Sequence, residues 1–444
     1  MAADRITPRT LKGFRDFTPE AMLPRERLVD TAKAVYRSYG FSPIDTPALE
    51  YAEILLGKGG DESDRQLYRF DDPGGRDVAM RFDLTVPLAR FVAQHIGTLG
   101  TPFKRYQVGP VWRGENTQRG RYREFLQCDF DTIGNTTMLA DIETALVIHD
   151  LFTALGFERF TIRCNNRKVL TGLLERLELT QDSAPVLRAI DKLPKIGVDG
   201  VSAELHRTVG TTAAQAAEIL EFAGLAGTNG EILEHLETLV GGSASGGQGL
   251  EELNGLVEGV AAAAIAADRV RVDPSIARGL DYYTGAVFET FLDDLPDIGS
   301  CCSGGRYDDL ASLYTGQQLP GVGASLGVDR LLAAMDELDM LGERSAPAPI
   351  LVTVFDDDVA LEALAASADL RRGGLGAELY PSARKLGAQL KYANRRGHRL
   401  AVIIGPDEVA AGTAQLKNLQ TGRSVEVPRV DLAAACRSEL TTDD

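Results

Sequence analysis

The 444-residue sequence predicts an α+β core, interrupted by a helical segment and followed by a small α/β domain. Three observations carry this. Residues 103–134, FKRYQVGPVWRGENTQRGRYREFLQCDFDTIG, read as strand, polar loop, strand, with Tyr106, Val108, Val111 and Trp112 as strand formers on the first arm. Residues 166–267 turn to Leu, Ala and Glu at helical spacing. From residue 350 onward strands alternate with helices, the pattern of a parallel α/β domain. A chain of this length exceeds one comfortable core, so two or three domains are expected.

Composition narrows the class. Apolar content of 44% and charged content of 25% are those of a soluble globular protein. The net charge of −17 argues against nucleic-acid binding by the whole surface, but leaves room for a local basic patch. The cysteines at 128, 164, 301, 302 and 436 are odd in number and scattered, which fits neither a disulfide framework nor a zinc site. None of the five histidines lies in a metal-ligand cluster. Residues 1–10 lack the apolar core of a signal peptide, and no segment is apolar for long enough to span a bilayer. The expectation is a reducing cytosol.

In order, a polar lead-in at 8–20 precedes a helix over 22–39 that Gly40 ends. Pro43 and Pro47 hold 41–47 extended, as on an edge strand. A hairpin about Gly74 and Gly75 delivers Asp83 and Thr85 just ahead of a helix start at Pro87. Those two residues suit a helix cap; they also suit an ammonium, whose three donors need acceptors. In the central hairpin, residues 114–120 break the strand. Beyond them Phe125, Gln127, Asp129 and Asp131 share one face; Leu126, Cys128 and Phe130 share the other. The polar face, with Arg113 close by, is either a solvated hairpin with ion pairs or the floor of a pocket for a small charged substrate and a phosphate.

A helix over 141–155 and a strand over 157–165 follow. Inside the helical segment, 241–247 (GGSASGG) reads as a flexible loop. After a strand at 270–273, residues 278–289 (RGLDYYTGAVFE) set an arginine and two tyrosines before an apolar strand; the tyrosines suit core and edge packing. Residues 302–308 read as a glycine turn after a strand. The run 321–330 (GVGASLGVDR) leads into a helix over 331–340, and its glycine spacing is wrong for a dinucleotide loop. Residues 342–349 (GERSAPAP) form a linker. Between Glu378 and Asp407 no acidic residue occurs, while Arg384, Lys385, Lys391, Arg395, Arg396 and Arg399 do. Such a one-sign segment fits a phosphate-facing surface or a solvated helix.

Arg113-Gly114-Glu115 followed by Arg121-Tyr122-Arg123-Glu124-Phe125 resembles motif 2 of the class II aminoacyl-tRNA synthetases, and the run 121–131 resembles the histidyl-tRNA synthetase family in particular. Residues 22–47 resemble motif 1, the dimer element. Residues 278–289 resemble the family's own signature, which selects the amino acid. Residues 321–330 resemble motif 3, with Asp329 where the family often has Glu. The resemblance implies a class II antiparallel sheet with flanking helices. The catalytic core would cover 1–165 and 268–341, a helical insertion that embraces the tRNA acceptor arm 166–267, a linker 342–349, and an α/β anticodon-binding domain 350–444.

The implied activity is a cytoplasmic, homodimeric ligase that joins L-histidine to tRNA(His) at the expense of ATP, with Mg²⁺ accompanying the ATP and no metal site in the protein itself. By resemblance the catalytic residues are Arg113, Arg278 and Gln127. Asp83, Leu84, Thr85, Arg113, Gln127, Asp131, Arg278, Tyr282 and Tyr283 would bind histidine. Arg113, Glu115, Arg121, Phe125 and Arg330 would bind ATP. Asn116, Gln118, Arg119, Lys391, Arg395 and Arg396 are candidates for touching tRNA. The chemistry agrees with the residue types. Arginine stays charged and binds oxyanions in two-pronged fashion. A site that hydrogen-bonds both imidazole nitrogens leaves buried groups unpaired when any other side chain enters. Two alternatives stand beside this reading: a non-catalytic synthetase-like regulatory subunit of histidine biosynthesis, and a same-class synthetase for another amino acid.

Overall fold

The structure is a computed structural model, and it describes residues 6–57, 61–117, 120–276, 282–342 and 346–441. The chain divides into two compact units, Met1–Asp16 with Arg25–Leu338, and Phe17–Pro24 with Asp339–Asp444.

The first unit is built on an eight-stranded sheet. In spatial order its strands are Ser42–Pro43, Phe103–Trp112, Glu124–Ile133, Gly321–Gly327, Cys302–Tyr307, Ala286–Leu292, Phe160–Asn166 and Val270–Val272. Inner neighbours run antiparallel, and only the two edge pairings are parallel. The central hairpin keeps unbroken register from Phe103 opposite Ile133 to Trp112 opposite Glu124. Its apolar face is claimed by the helix Pro19–Ser38. Tyr36 of that helix lies 5.1 Å from Phe130, ring to ring, and its hydroxyl donates to the Cys128 carbonyl at 3.1 Å. Because side chains alternate along a strand, Gln127, Asp129 and Asp131 are turned to the opposite face.

The structure changes several expectations. The helix Thr85–Leu99 starts two residues before Pro87, and Val328–Glu337 starts directly at the end of its strand. Gly304 and Gly305 lie within the strand Cys302–Tyr307, not in a turn. A Cβ on Gly304 would collide with the Gly323 carbonyl, so glycine here permits close strand packing rather than a bend.

Residues 241–247 are not a flexible loop. The helix Ala244–Ala262 begins among them, and the Ser243 hydroxyl caps it by accepting from the Gly246 N–H at 3.0 Å. A Cβ on Gly172, in the helix Arg167–Arg176, would collide with the Gly246 backbone. The small residues let two helices approach closely. The helices Ser183–Ile190, Leu193–Val209, Ala213–Gly224 and Asn229–Val240 lie between those two in sequence.

The second unit carries a five-stranded sheet in the order Ala377–Leu379, Ile350–Val352, Leu400–Ile403, Thr413–Asn418, Ser424–Pro428. The first three strands are parallel, as the alternation predicts. The last two are antiparallel and make the sheet mixed. Its core is aliphatic, with Ile350, Val352, Leu370, Val402 and Leu416 fully or almost fully buried.

Candidate active site

The polar face of the central hairpin is an interior layer, not a solvated surface. Across the strands, Asp131 faces Arg105 and Gly323, Asp129 faces Gln107 and Ser325, and Gln127 faces Gly109 and Gly327. Arg105 is 0% exposed and Asp131 3%. An Arg105 guanidinium nitrogen lies 2.6 Å from Asp131 Oδ2 without the alignment of a hydrogen bond, so that oxygen keeps its acceptor capacity. Tyr307 donates its hydroxyl proton to Asp131 Oδ1 at 2.5 Å. A side chain on Gly323 would collide with the Asp131 carboxylate, so glycine leaves the room in which that carboxylate sits. Gln127 donates to the Ser325 hydroxyl at 2.9 Å, while its own Oε1 is buried and accepts no hydrogen bond from the described residues.

One wall comes from the start of the helix Thr85–Leu99. Asp83 accepts from the Val86 N–H at 3.0 Å, a capping contact, and its other oxygen lies 3.5 Å from the Tyr282 hydroxyl. Thr85 also bonds the Tyr282 side chain. The Leu84 side chain is wholly buried, so its carbonyl, 3.4 Å from Arg105, is what it offers inward. Tyr282 packs edge-on to Tyr283 and to Tyr307, at 5.1 and 5.8 Å. Burial pushes the Asp83 carboxyl up to about 6, against the pull of the Val86 N–H, Arg113 and Arg105. Burial pushes Asp129 up to about 7, opposed by Arg105 and reinforced by Asp131. Asp131 is raised by burial too, with Arg105 the largest opposing influence and Tyr307 next.

Beside this floor is a cleft of about 150 Å³. Arg113, Glu115, Arg121, Phe125, Gln127 and Arg330 line it together with Ser300, Cys301 and Ser325. Arg113 Nε donates to the Phe82 carbonyl at 2.9 Å, and its guanidinium lies 5.1 Å from the Phe125 ring centre. Arg121 is 3.6 Å from Glu115. Arg330 donates to the Ser300 carbonyl, and burial lowers its pKa. Asp329 lines the cleft and also pins it. It accepts from the Leu126 N–H at 3.0 Å and from Arg15 at 2.7 Å, tying the strand Glu124–Ile133 and the lead-in to the helix Val328–Glu337. The fold thus gathers every described residue expected to meet ATP into one cleft, with Gln127 shared with the carboxylate floor. Arg278, Gln118 and Arg119 lie outside the described residues; Asn116 is exposed.

Sequence reasoning missed Arg105, Tyr307, Ser325, and the pinning by Arg15 and Asp329. A signal for the first existed. Arg105 and Gln107 stand two apart on a strand arm, and a polar stripe there calls for a polar stripe on its partner.

In the second unit, the helix Leu386–Arg396 buries Gln389 and Ala393 and leaves Lys391, Arg395 and Arg396 exposed. Gln389 fixes it by accepting from the Val354 N–H at 3.0 Å and donating to the Val354 and Arg384 carbonyls, each at 2.7 Å. The nearest acidic residue in sequence, Glu378, is engaged by Tyr392 and buried His398. Among the described residues, no group of three or more His, Cys, Asp and Glu side chains is disposed to hold a metal ion, and no helix is long and apolar enough to cross a membrane.

Comparison with known proteins follows the same lines. The histidyl-tRNA synthetase family model matches residues 13–331, and an anticodon-binding domain model matches 349–439. A histidine–tRNA ligase of Rhodopirellula baltica is 56% identical over 95% of this chain and 96% of its own length. The crystal structure of a histidyl-tRNA synthetase from Nostoc sp. is 37% identical, with a TM-score of 0.89 over 98% of this chain and 100% of that one. A Bacillus halodurans structure described as an ATP phosphoribosyltransferase regulatory subunit/histidyl-tRNA synthetase is 23% identical, with a TM-score of 0.73 over 88% of this chain and 97% of that one, a likeness of fold alone.

Proposed function

This chain belongs to the histidyl-tRNA synthetase family, and from that premise we propose how its pocket works. The activity is that of a histidine–tRNA ligase. L-Histidine and ATP give histidyl-adenylate and pyrophosphate, and histidine is then esterified to the 3′ end of tRNA(His). The regulatory-subunit alternative is less supported, since the relatives of high identity are ligases.

In the first step a histidine carboxylate oxygen attacks the α-phosphorus of ATP, and the bond to the β-phosphate oxygen breaks with its electron pair leaving on pyrophosphate. The protein's task is positioning and charge neutralisation. Arg113 would hold the α-phosphate and the substrate carboxylate, and Arg278 would reach the same oxygens from the other side. Arg330 and Arg121 would take the outer phosphates, Glu115 the adenine amino edge, and Phe125 the adenine face. Gln127 Oε1, with Asp83 and Thr85, would hold the ammonium. Asp131 would accept from one imidazole nitrogen and Tyr283 would pair with the other, with Tyr282 lining the wall. In the second step a hydroxyl at the tRNA 3′ end attacks the acyl carbon and AMP leaves. Mg²⁺ would accompany ATP and supply charge neutralisation at its phosphates.

The observation that carries these assignments is the meeting, at Gln127, of an arginine-lined cleft with a buried carboxylate floor. The partner molecules follow. Lys391, Arg395 and Arg396 would meet tRNA phosphates, and Asn116, Gln118 and Arg119 in the motif 2 loop are candidates for contacting the extra 5′ guanosine of this tRNA. A cytoplasmic homodimer would form about the edge strand Ser42–Pro43 and a small three-stranded sheet of Leu49–Tyr51, Asp77–Met80 and Arg69–Asp71, where Leu49, Tyr51 and Phe70 are each over 40% exposed. Histidine-dependent ATP–pyrophosphate exchange tests the site, with the other amino acids as controls. Asp131→Ala should raise the KM for histidine far more than that for ATP; equal effects on both would reassign Asp131 to the sheet.

A further inference from the structure

The most unusual charged group in the first unit is Arg105. Among the described residues it is the largest wholly buried side chain, and it sits inside the sheet, between Ser42 of the edge strand and Asp131, rather than at a surface. Its Nε and one terminal nitrogen donate to no partner among the described residues, while another terminal nitrogen lies 2.6 Å from Asp131. A buried guanidinium with idle donors is costly for a fold, so its retention calls for a reason other than stability. Three buried carboxylates, Asp83, Asp129 and Asp131, feel its charge. Of these only Asp131 is in direct contact. Asp131 is held from two sides, by Arg105 at Oδ2 and by the Tyr307 hydroxyl at Oδ1, and the absent side chain of Gly323 leaves it its space.

We propose that Arg105 is a positioning residue for amino-acid selection, which keeps the Asp131 carboxylate ionised and aimed so that it acts only as an acceptor. An ionised carboxylate has no proton to donate, so it takes a ring N–H and rejects a side chain that offers an acceptor at that point. Without the guanidinium, burial would favour the protonated acid, which could turn a donor toward the substrate. The proposal rests on the reading of Asp131 as the partner of the imidazole, and it adds that this partner is set by a residue that never touches histidine.

The test is a double-variant cycle in ATP–pyrophosphate exchange on the full chain, with KM for histidine, KM for ATP and kcat measured for Arg105→Met, Arg105→Lys, Asp131→Asn and the double variants. Arg105→Met should raise the histidine KM roughly 10- to 100-fold, the effect of one charge-assisted hydrogen bond, and shift the ATP KM by less than about twofold. Arg105→Lys should restore part of the loss. On the Asp131→Asn background neither Arg105 change should add to the histidine KM. If Arg105→Met does not fold, Arg105→Lys with and without Asp131→Asn decides. Equal rises in both KM values, or losses that multiply in the double variant, would overturn the assignment of Arg105 while leaving Asp131 in place. A normal histidine KM in Asp131→Asn would remove the Asp131 reading itself, and this inference with it.

Discussion

Two sets of charges mark this chain, and their surroundings are opposite. Arg105, Asp83, Asp129 and Asp131 in the pocket floor are at most 3% exposed, whereas Lys391, Arg395 and Arg396 on the helix Leu386–Arg396 stand in solvent. In the interior each charge interacts strongly with its neighbours, and an idle polar atom is expensive. Position and identity then matter atom by atom. In water a charge is screened within about 8 Å at physiological salt, and the sum over several residues is what a polyanion feels. One set is suited to reading a single small molecule, the other to holding an extended phosphate chain in which no single residue is decisive.

That contrast predicts its largest effect at the inner edge of the cleft. Arg113→Ala should lower histidine-dependent pyrophosphate exchange on the order of 10²–10³-fold in a folded protein, the loss expected from one transition-state oxyanion contact. Arg113 lines the cleft with Phe125 and Arg330, and its orientation is fixed by the Phe82 carbonyl. A loss of only a few-fold, of the size a solvent-exposed arginine gives, would break the distinction between the two sets.

A smaller effect follows from the buried carboxyls. Asp83 is pushed up to about 6 and Asp129 to about 7, while an unfolded aspartate titrates near 3.9. Between about pH 4 and pH 7 the folded chain therefore holds protons that the unfolded chain has released. Stability from this source is fully present below about pH 4 and is lost as pH rises toward 7, by at most about 1.4 kcal/mol per pH unit for each proton retained. Asp129→Asn should flatten this dependence. Urea midpoints of the substrate-free protein at pH 5 and pH 7 measure it, and an unchanged difference between wild type and variant would mean that Asp129 is ionised throughout.

The same contrast explains what could be read from the sequence. The strand–loop–strand centre, the polar stripe of Gln127, Asp129 and Asp131, and the parallel start of the second sheet follow from local pattern. Arg105 was hidden because its meaning depends on the strand opposite. Gly172 and Gly246 were hidden because they are far apart in sequence, and closeness between helices is a tertiary fact; locally, GGSASGG has the composition of a linker. The antiparallel pair at the end was more legible than it looked. In Thr413–Asn418 the buried Ala414, Leu416 and Asn418 alternate with half-buried neighbours, a period-2 pattern that marks a strand. The basic helix needed no tertiary information, since exposed charges of one sign show in the sequence as they stand.

The smallest expected effect is on that helix, and it concerns salt more than rate. Arg395 and Arg396 occupy its last turn, both exposed, with the Arg395 guanidinium 6.0 Å from the Tyr392 ring centre. Replacing both with Gln removes two positive charges but no buried contact, so stability should stay within about 0.5 kcal/mol. Pyrophosphate exchange should be unchanged, since neither residue is placed in the chemistry. tRNA binding should weaken several-fold at physiological salt. The slope of log affinity against log salt should become shallower by about 1.4 to 1.8, because two fewer counterion releases accompany binding. Filter binding of tRNA(His) over 50–300 mM salt, run beside exchange assays on the same preparation, measures both quantities. A fall in exchange together with charging would show that these arginines reach the chemistry after all; an unchanged slope would show that they do not meet phosphate, and the exposed set would lose its assigned partner.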